Sequence, residues 1–148
     1  MSVVRMELWD AAGRLKLATD SYFLYTAYAP MSDDEVLVKV GISTIPYQRL
    51  VAIYCNTPFP VELAAFTVMG RKRNALRAER VILEQFAEHK TRGEWLKLKS
   101  DQETRQRFAT AARKVVEQIT GKPVQWQRVS SSQIRAYMSG KMRDKFDA

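Results

Sequence analysis

A single cysteine and a single histidine among 148 residues close off several chemistries before any motif is sought. One thiol, Cys55, forms no disulfide within the chain and cannot build a multi-cysteine zinc or iron–sulfur site. One imidazole, His89, excludes the two-histidine motif of metalloproteases. No stretch approaches the roughly 20 apolar residues that a membrane-spanning helix needs. The start, Met1 to Glu7, lacks the uninterrupted apolar core of a signal peptide. These absences predict a soluble, cytoplasmic protein with no membrane partner. With 46% hydrophobic residues the composition is that of a folded chain, and the length suits one domain with a small appendage.

What is abundant is positive charge. The formal net charge is +8, and an excess of that size points to a polyanionic partner. Its distribution is uneven. Residues 101–148 hold ten Lys and Arg against five Asp and Glu, whereas residues 1–100 hold fourteen against eleven. A second concentration, Arg71, Lys72, Arg73, Arg77 and Arg80, surrounds one acid, Glu79. Solvated helix faces and a solubilising tail are the plainer account of such runs.

Along the chain, residues 1–20 are weakly patterned and read as an arm or small hairpin. Ser21 to Ala29 is rich in aromatics and bounded by Pro30, which predicts a strand; Glu35 to Val40, ending at Gly41, predicts a second. The short turn between them favours an antiparallel hairpin. Ser43 or Thr44 is placed to cap a helix with Pro46 in its first turn, running through Tyr54. Val61 to Met69 reads as a third, buried strand, broken at Gly70. Helical periodicity follows over Lys72 to Lys90, with Leu76, Leu83 and Phe86 on one stripe, widened by Ala75, Ala78 and Ile82. Glu94 to Leu98 turns back toward the body. Residues 101–119 predict an amphipathic helix with Phe108, Ala111, Ala112, Val115, Val116 and Ile119 inward. Ser132 to Phe146 predicts a basic helix with Ile134, Tyr137 and Met138 on its thin apolar side.

Glu79 breaks its local pattern. It shares the stripe of Leu76, Leu83 and Phe86, where an ionised carboxylate is costly unless paired or bound to a metal. A neighbouring arginine, or a helix rotated to expose it, would satisfy it equally. Arg49 follows Gly41 by eight residues, on the short helix after the hairpin. Its guanidinium suits a phosphate or a carboxylate bidentately, the alternative being an ordinary surface arginine. His89 reads as a cation at a helix C-terminus. By strand alternation Tyr25 faces away from Tyr22 and Tyr28.

Together these pieces resemble the GIY-YIG nucleases, and within them the small phage and bacterial proteins of the T5 orf172 / Mug113 type. Phe23-Leu24-Tyr25 stands in the place of the first motif and Lys39-Val40-Gly41 in that of the second. Ile42 to Leu50 resembles the segment leading to the family's arginine, Glu79 the acid on the later helix, and Gly93-Glu94-Trp95-Leu96 the branch's closing motif. The resemblance covers residues 21–98.

It implies an α+β domain, a three-stranded antiparallel sheet flanked by helices over residues 21–100, with residues 101–148 as a basic helical extension. It implies a metal-dependent endonuclease acting on nucleic acid, DNA before RNA. Glu79 would ligate one Mg²⁺ or Mn²⁺, a hard cation that keeps several waters, so one protein ligand can suffice. Arg49 would hold the scissile phosphate, and Tyr25 would orient or deprotonate the attacking water. Lys39 replaces the tyrosine of the second motif. It would contact phosphate or relay a proton, or it marks a domain that binds without cutting. Arg71, Lys72 and Arg73 with Arg135, Lys141, Arg143 and Lys145 are the candidates for gripping the strand. Homodimerisation through the 101–119 helix is the rival role for the extension. A catalytically inactive nucleic-acid-binding module is the alternative function, and an adaptor whose charge serves only solubility is a weaker third.

Overall fold

A computed structural model describes residues 21–57, 59–91 and 95–147, with residues 140–147 as helix backbone alone. The expected hairpin over residues 1–20 and the pair Gly93-Glu94 lie outside the described residues. Strand β1 (Tyr22–Pro30) and strand β2 (Glu35–Ser43) form the expected antiparallel hairpin, in register from Phe23↔Ser43 to Pro30↔Val36. The Ser32 hydroxyl accepts hydrogen bonds from the backbone N–H groups of Asp34 and Glu35 and holds the turn. Helix α1 (Pro46–Asn56) starts on its proline, but Ser43 does not cap it. The Ser43 hydroxyl instead accepts from the Ile45 N–H at 2.9 Å and shapes the bend before the helix. At the other end, the Asn56 and Thr57 side chains donate to the carbonyls of Ala52 and Ile53, one turn back, and fasten the last turn.

Strand β3 (Leu63–Gly70) lies on the far side of β1, antiparallel to it. Gly70 takes φ 79°, a left-handed turn, and helix α2 (Lys72–Gln85) begins immediately. A 3₁₀ turn over Ala87–His89 follows. Strand β4 (Trp95–Lys99) pairs with the outer edge of β2. Helix α3 (Gln102–Thr120) is capped by Asp101, whose carboxylate accepts from the Thr104 N–H at 2.7 Å, and it ends on left-handed Gly121. Strand β5 (Gln127–Ser130) pairs with β3, and helix α4 (Ser131–Asp147) closes the described chain.

Among the described residues the sheet therefore has five strands, ordered β4-β2-β1-β3-β5 and antiparallel throughout, not the three expected. The two additions are short edge strands whose partners lie far away in sequence. One of them, β5, comes from the stretch expected to be a helical extension, so sheet and core both run across residue 100.

Helices cover both faces of this sheet. On one face Leu24, Val36, Val38, Val40, Met69, Leu96 and Leu98 pack against Ala75, Ala78, Ile82 and Phe86 of α2 and Phe108, Ala112, Val115 and Val116 of α3. On the other, Phe23, Tyr25, Ala27, Ala29, Ala64, Phe66 and Val129 pack against Leu50 and Ile53 of α1 and Ile134 of α4. The apolar side of α3 is thus spent within the chain's own core. Helix α2 is rotated from the expected stripe: Ala75, Ala78 and Ile82 are buried, whereas Leu76 is 44% exposed. Two alanines let the helix backbone approach sheet and neighbouring helix closely, and this close contact, more than the larger leucine, sets the inward face. Glu79 then flanks the buried stripe and is partly buried.

Candidate functional site

Strand alternation and hairpin register bring the candidate residues of β1 and β2 onto one face. Tyr25 stands opposite Gly41 and Ala27 opposite Lys39, so Tyr25 and Lys39 both point to the α1 layer. The Tyr25 ring lies across Gly41. A Cβ at position 41 would fall on the Tyr25 hydroxyl and Cζ, and within 2.8 Å of Cε2, which gives this glycine a steric reason. Tyr25 is 1% exposed, enclosed among the aromatic and aliphatic side chains of its layer.

Its hydroxyl meets Arg49. From α1, the Arg49 Nε donates to the Tyr25 hydroxyl at 3.3 Å, a long bond that joins an otherwise exposed arginine to the buried sheet. Lys39 is 6% exposed, unusual for an ammonium, and its Nζ lies 5.8 Å from the centre of the Trp95 ring on β4. That contact follows from the cross-strand pairing of Lys39 with Trp95.

Lys39, Arg49 and Trp95, with Ala52, Ile53, Asn56 and Thr57, line a shallow cleft of about 200 Å³. Two cations, an aromatic wall and two uncharged polar side chains make a lining suited to an anion. No carboxylate lines it among the described residues, and Tyr25 lies beneath it and does not line it. Tyr25 is placed to position Arg49, not to touch what enters.

The other expected residues are distributed. Glu79 belongs to α2, which packs on the opposite face of the sheet. Arg71, Lys72 and Arg73 are exposed at the start of the same helix, with the Lys72 Nζ 5.9 Å from the Tyr22 ring. Arg135 of α4 shares the layer of the cleft: its Nη1 donates to the Tyr54 hydroxyl of α1 at 3.4 Å. Tyr47 stacks at 5.2 Å on Tyr137 and at 5.6 Å, edge-on, on Phe66, tying α1 to α4 and to the sheet. Burial, and then the neighbouring Tyr137, raise the Tyr47 phenol above its ordinary pKa. The side chains of Lys141, Arg143 and Lys145 lie outside the described residues. His89 lies 3.5 Å from Glu88, beyond the end of α2, and is not among the residues lining the cleft.

Sequence reasoning missed the wall formed by Trp95 and the rim formed by Asn56 and Thr57. The signal for Trp95 lay in the alternation of Trp95-Leu96-Lys97-Leu98, a strand pattern whose partner the sequence does not name.

No curated protein and no solved structure was found to match the chain. Residues 22–120 match the T5orf172 domain, a family associated with nuclease-type proteins. The match runs from the first residue of β1 to the last of α3 and includes Tyr25, Lys39, Arg49 and Glu79. Covering more than half of the sequence, it shows that the chain belongs to the T5orf172 domain family.

Proposed function

We propose that the chain is an endonuclease of the GIY-YIG type, in the T5 orf172 / Mug113 branch, that hydrolyses nucleic-acid phosphodiester bonds, with DNA as the expected substrate. The observation that carries this reading is the pairing of Arg49 with buried Tyr25 beside Lys39 in one cleft. A phosphodiester gains negative charge on its non-bridging oxygens as water attacks. Donors already fixed in place stabilise that charge without having to reorganise. Arg49, held from behind by Tyr25, and Lys39, steadied by Trp95, are such donors. Arg135 on the same side, and α4 beyond it, extend the positive surface along which a strand would run.

The expected Mg²⁺ or Mn²⁺ calls for hard oxygen donors. Among the described residues the cleft lining offers the Asn56 amide and Thr57 hydroxyl but no carboxylate, and Glu79 stands on α2, whose buried alanines pack on the other face of the sheet. No group of three His, Cys, Asp or Glu among the described residues is arranged to hold a metal. The described donors of this cleft therefore do not by themselves fit a metal. Glu79 is the carboxylate that the family resemblance assigns to the ion.

That no carboxylate lines the cleft among the described residues favours a second reading, a module that binds nucleic acid without cutting it. Incubating the protein with single- and double-stranded DNA and RNA, in Mn²⁺, Mg²⁺ or chelator, separates the two. Cleavage that is lost in chelator, in Arg49→Ala and in Glu79→Gln supports the enzyme. Binding without metal-dependent cleavage on every substrate supports the second reading, and no binding at all refutes both.

A further inference from the structure

On the opposite face of the sheet lies a second cleft of about 260 Å³, between α3 and strands β1, β3 and β5. It exists because small residues stand where larger ones would fill the layer. Thr26, Ala65 and Arg128 form one cross-strand row, and Ala109 and Ala112 face it from α3. Arg105, Arg128, Tyr28 and Trp126 supply its chemistry, and none of its described lining residues is acidic. The Arg105 Nε is buried and finds no hydrogen-bond acceptor. A buried guanidinium donor left unpaired is costly and calls for an acceptor.

We propose that this cleft binds a nucleoside monophosphate unit, its base against Trp126 and Tyr28 and its phosphate on Arg105 and Arg128. Two guanidiniums without a carboxylate select a dianionic group, which accepts from both. Aromatic side chains beside them select a planar base. The volume lies just under the roughly 300–1,000 Å³ usual for ligand pockets, which admits one small unit and not a stretch of strand. Tyr28 reports the same electrostatics. Burial raises its phenol above the ordinary pKa, while a Thr26 hydrogen bond and then the charges of Arg105 and Arg128 pull it down. Two sources carry this ligand chemistry, a free nucleotide and the phosphorylated end of a nucleic-acid strand. The sheet separates the cleft from Arg49, so the inference does not rest on the function proposed above.

Calorimetric titration of the full chain with AMP, CMP, GMP and UMP tests it, beside adenosine and inorganic phosphate. At least one monophosphate should bind saturably, with adenosine and phosphate each weaker by roughly tenfold or more. Arg128→Gln, at an exposed position, should weaken binding by a similar factor, Ala109→Trp should fill the cleft and abolish it, and Lys97→Gln, exposed on β4 and lining neither cleft, should leave it unchanged. Circular dichroism melting confirms that each variant is folded. In the Arg49→Ala background, competition by a 5′-phosphorylated oligonucleotide, but not its unphosphorylated twin, identifies a strand end as the source; no competition identifies a free nucleotide. The proposal is overturned if no monophosphate binds, if inorganic phosphate binds as tightly, or if folded Arg128→Gln and Ala109→Trp bind like wild type.

Discussion

Gly41→Ala is the most direct probe of the Tyr25–Arg49 arrangement, because a single methyl group tests both packing and site. The new Cβ would coincide with the Tyr25 hydroxyl and Cζ, so the ring has to move. Tyr25 is 1% exposed, with Phe23, Leu50 and Phe66 in the same cluster, so movement must be shared with a packed layer. Overpacking of this kind costs about 1–3 kcal/mol. Against it stands the lower entropy of an unfolded chain with alanine in place of glycine, about 0.4–1 kcal/mol. The Arg49 hydrogen bond, long at 3.3 Å, is lost in the displacement and contributes about 1 kcal/mol more. The net expectation is a destabilisation of roughly 2 kcal/mol, seen as a fall of about 4–8 °C in melting temperature for a chain of this size. Urea unfolding monitored by circular dichroism measures it, and nucleic-acid affinity should fall in the same variant because Arg49 loses its anchor. A Gly41→Ala protein within about 0.5 kcal/mol of wild type, with unchanged affinity, would refute the claim that this glycine exists to seat Tyr25.

Three further outcomes are expected. Arg49→Ala should lower the slope of log affinity against log salt by about one, whereas Arg49→Lys should keep that slope and lose affinity, since it keeps the charge but not the planar fork; salt titration of binding checks both. Tyr28 holds its proton more tightly folded than unfolded. Its contribution to stability is therefore complete below the ordinary pKa of 10.0 and is lost as pH rises through the higher folded value. Tyr28→Phe should flatten the alkaline fall in stability above about pH 10, as followed by unfolding at stepped pH, and an unchanged fall would count against the burial of that phenol. Ile134→Ala should cost about 2–5 kcal/mol, because Ile134 is fully buried in the layer of the cleft; a cost near zero would mean that α4 is an appendage after all.

Much of the candidate site was legible because it depends on short-range rules. A tight turn fixes hairpin register, register fixes which residues share a face, and so Tyr25, Gly41 and Lys39 fall together. Arg49 follows from a helix that begins on Pro46. The helical stripe of α2 was less legible. Periodicity places Leu76 and Ala75 on neighbouring faces, and only the closeness of sheet and α3 decides that the alanines go in. The edge strands were hidden for a related reason. Five residues of β4 and four of β5 are too short to announce a partner, and their partners stand far off in sequence.

By itself, then, the sequence determined the hairpin, the helices of the described chain, the positive charge and the likeness to the T5orf172 domain over residues 22–120. Each is a matter of local spacing or composition. The tertiary structure alone decided that residues 127–130 complete the sheet, that Trp95 stands against Lys39, that α2, which carries Glu79, packs on the face opposite α1, and that Arg105 and Arg128 share a cleft. These depend on which faces meet. That choice is made by the packing of distant segments, where fractions of a helical turn decide what is buried and what is left to act.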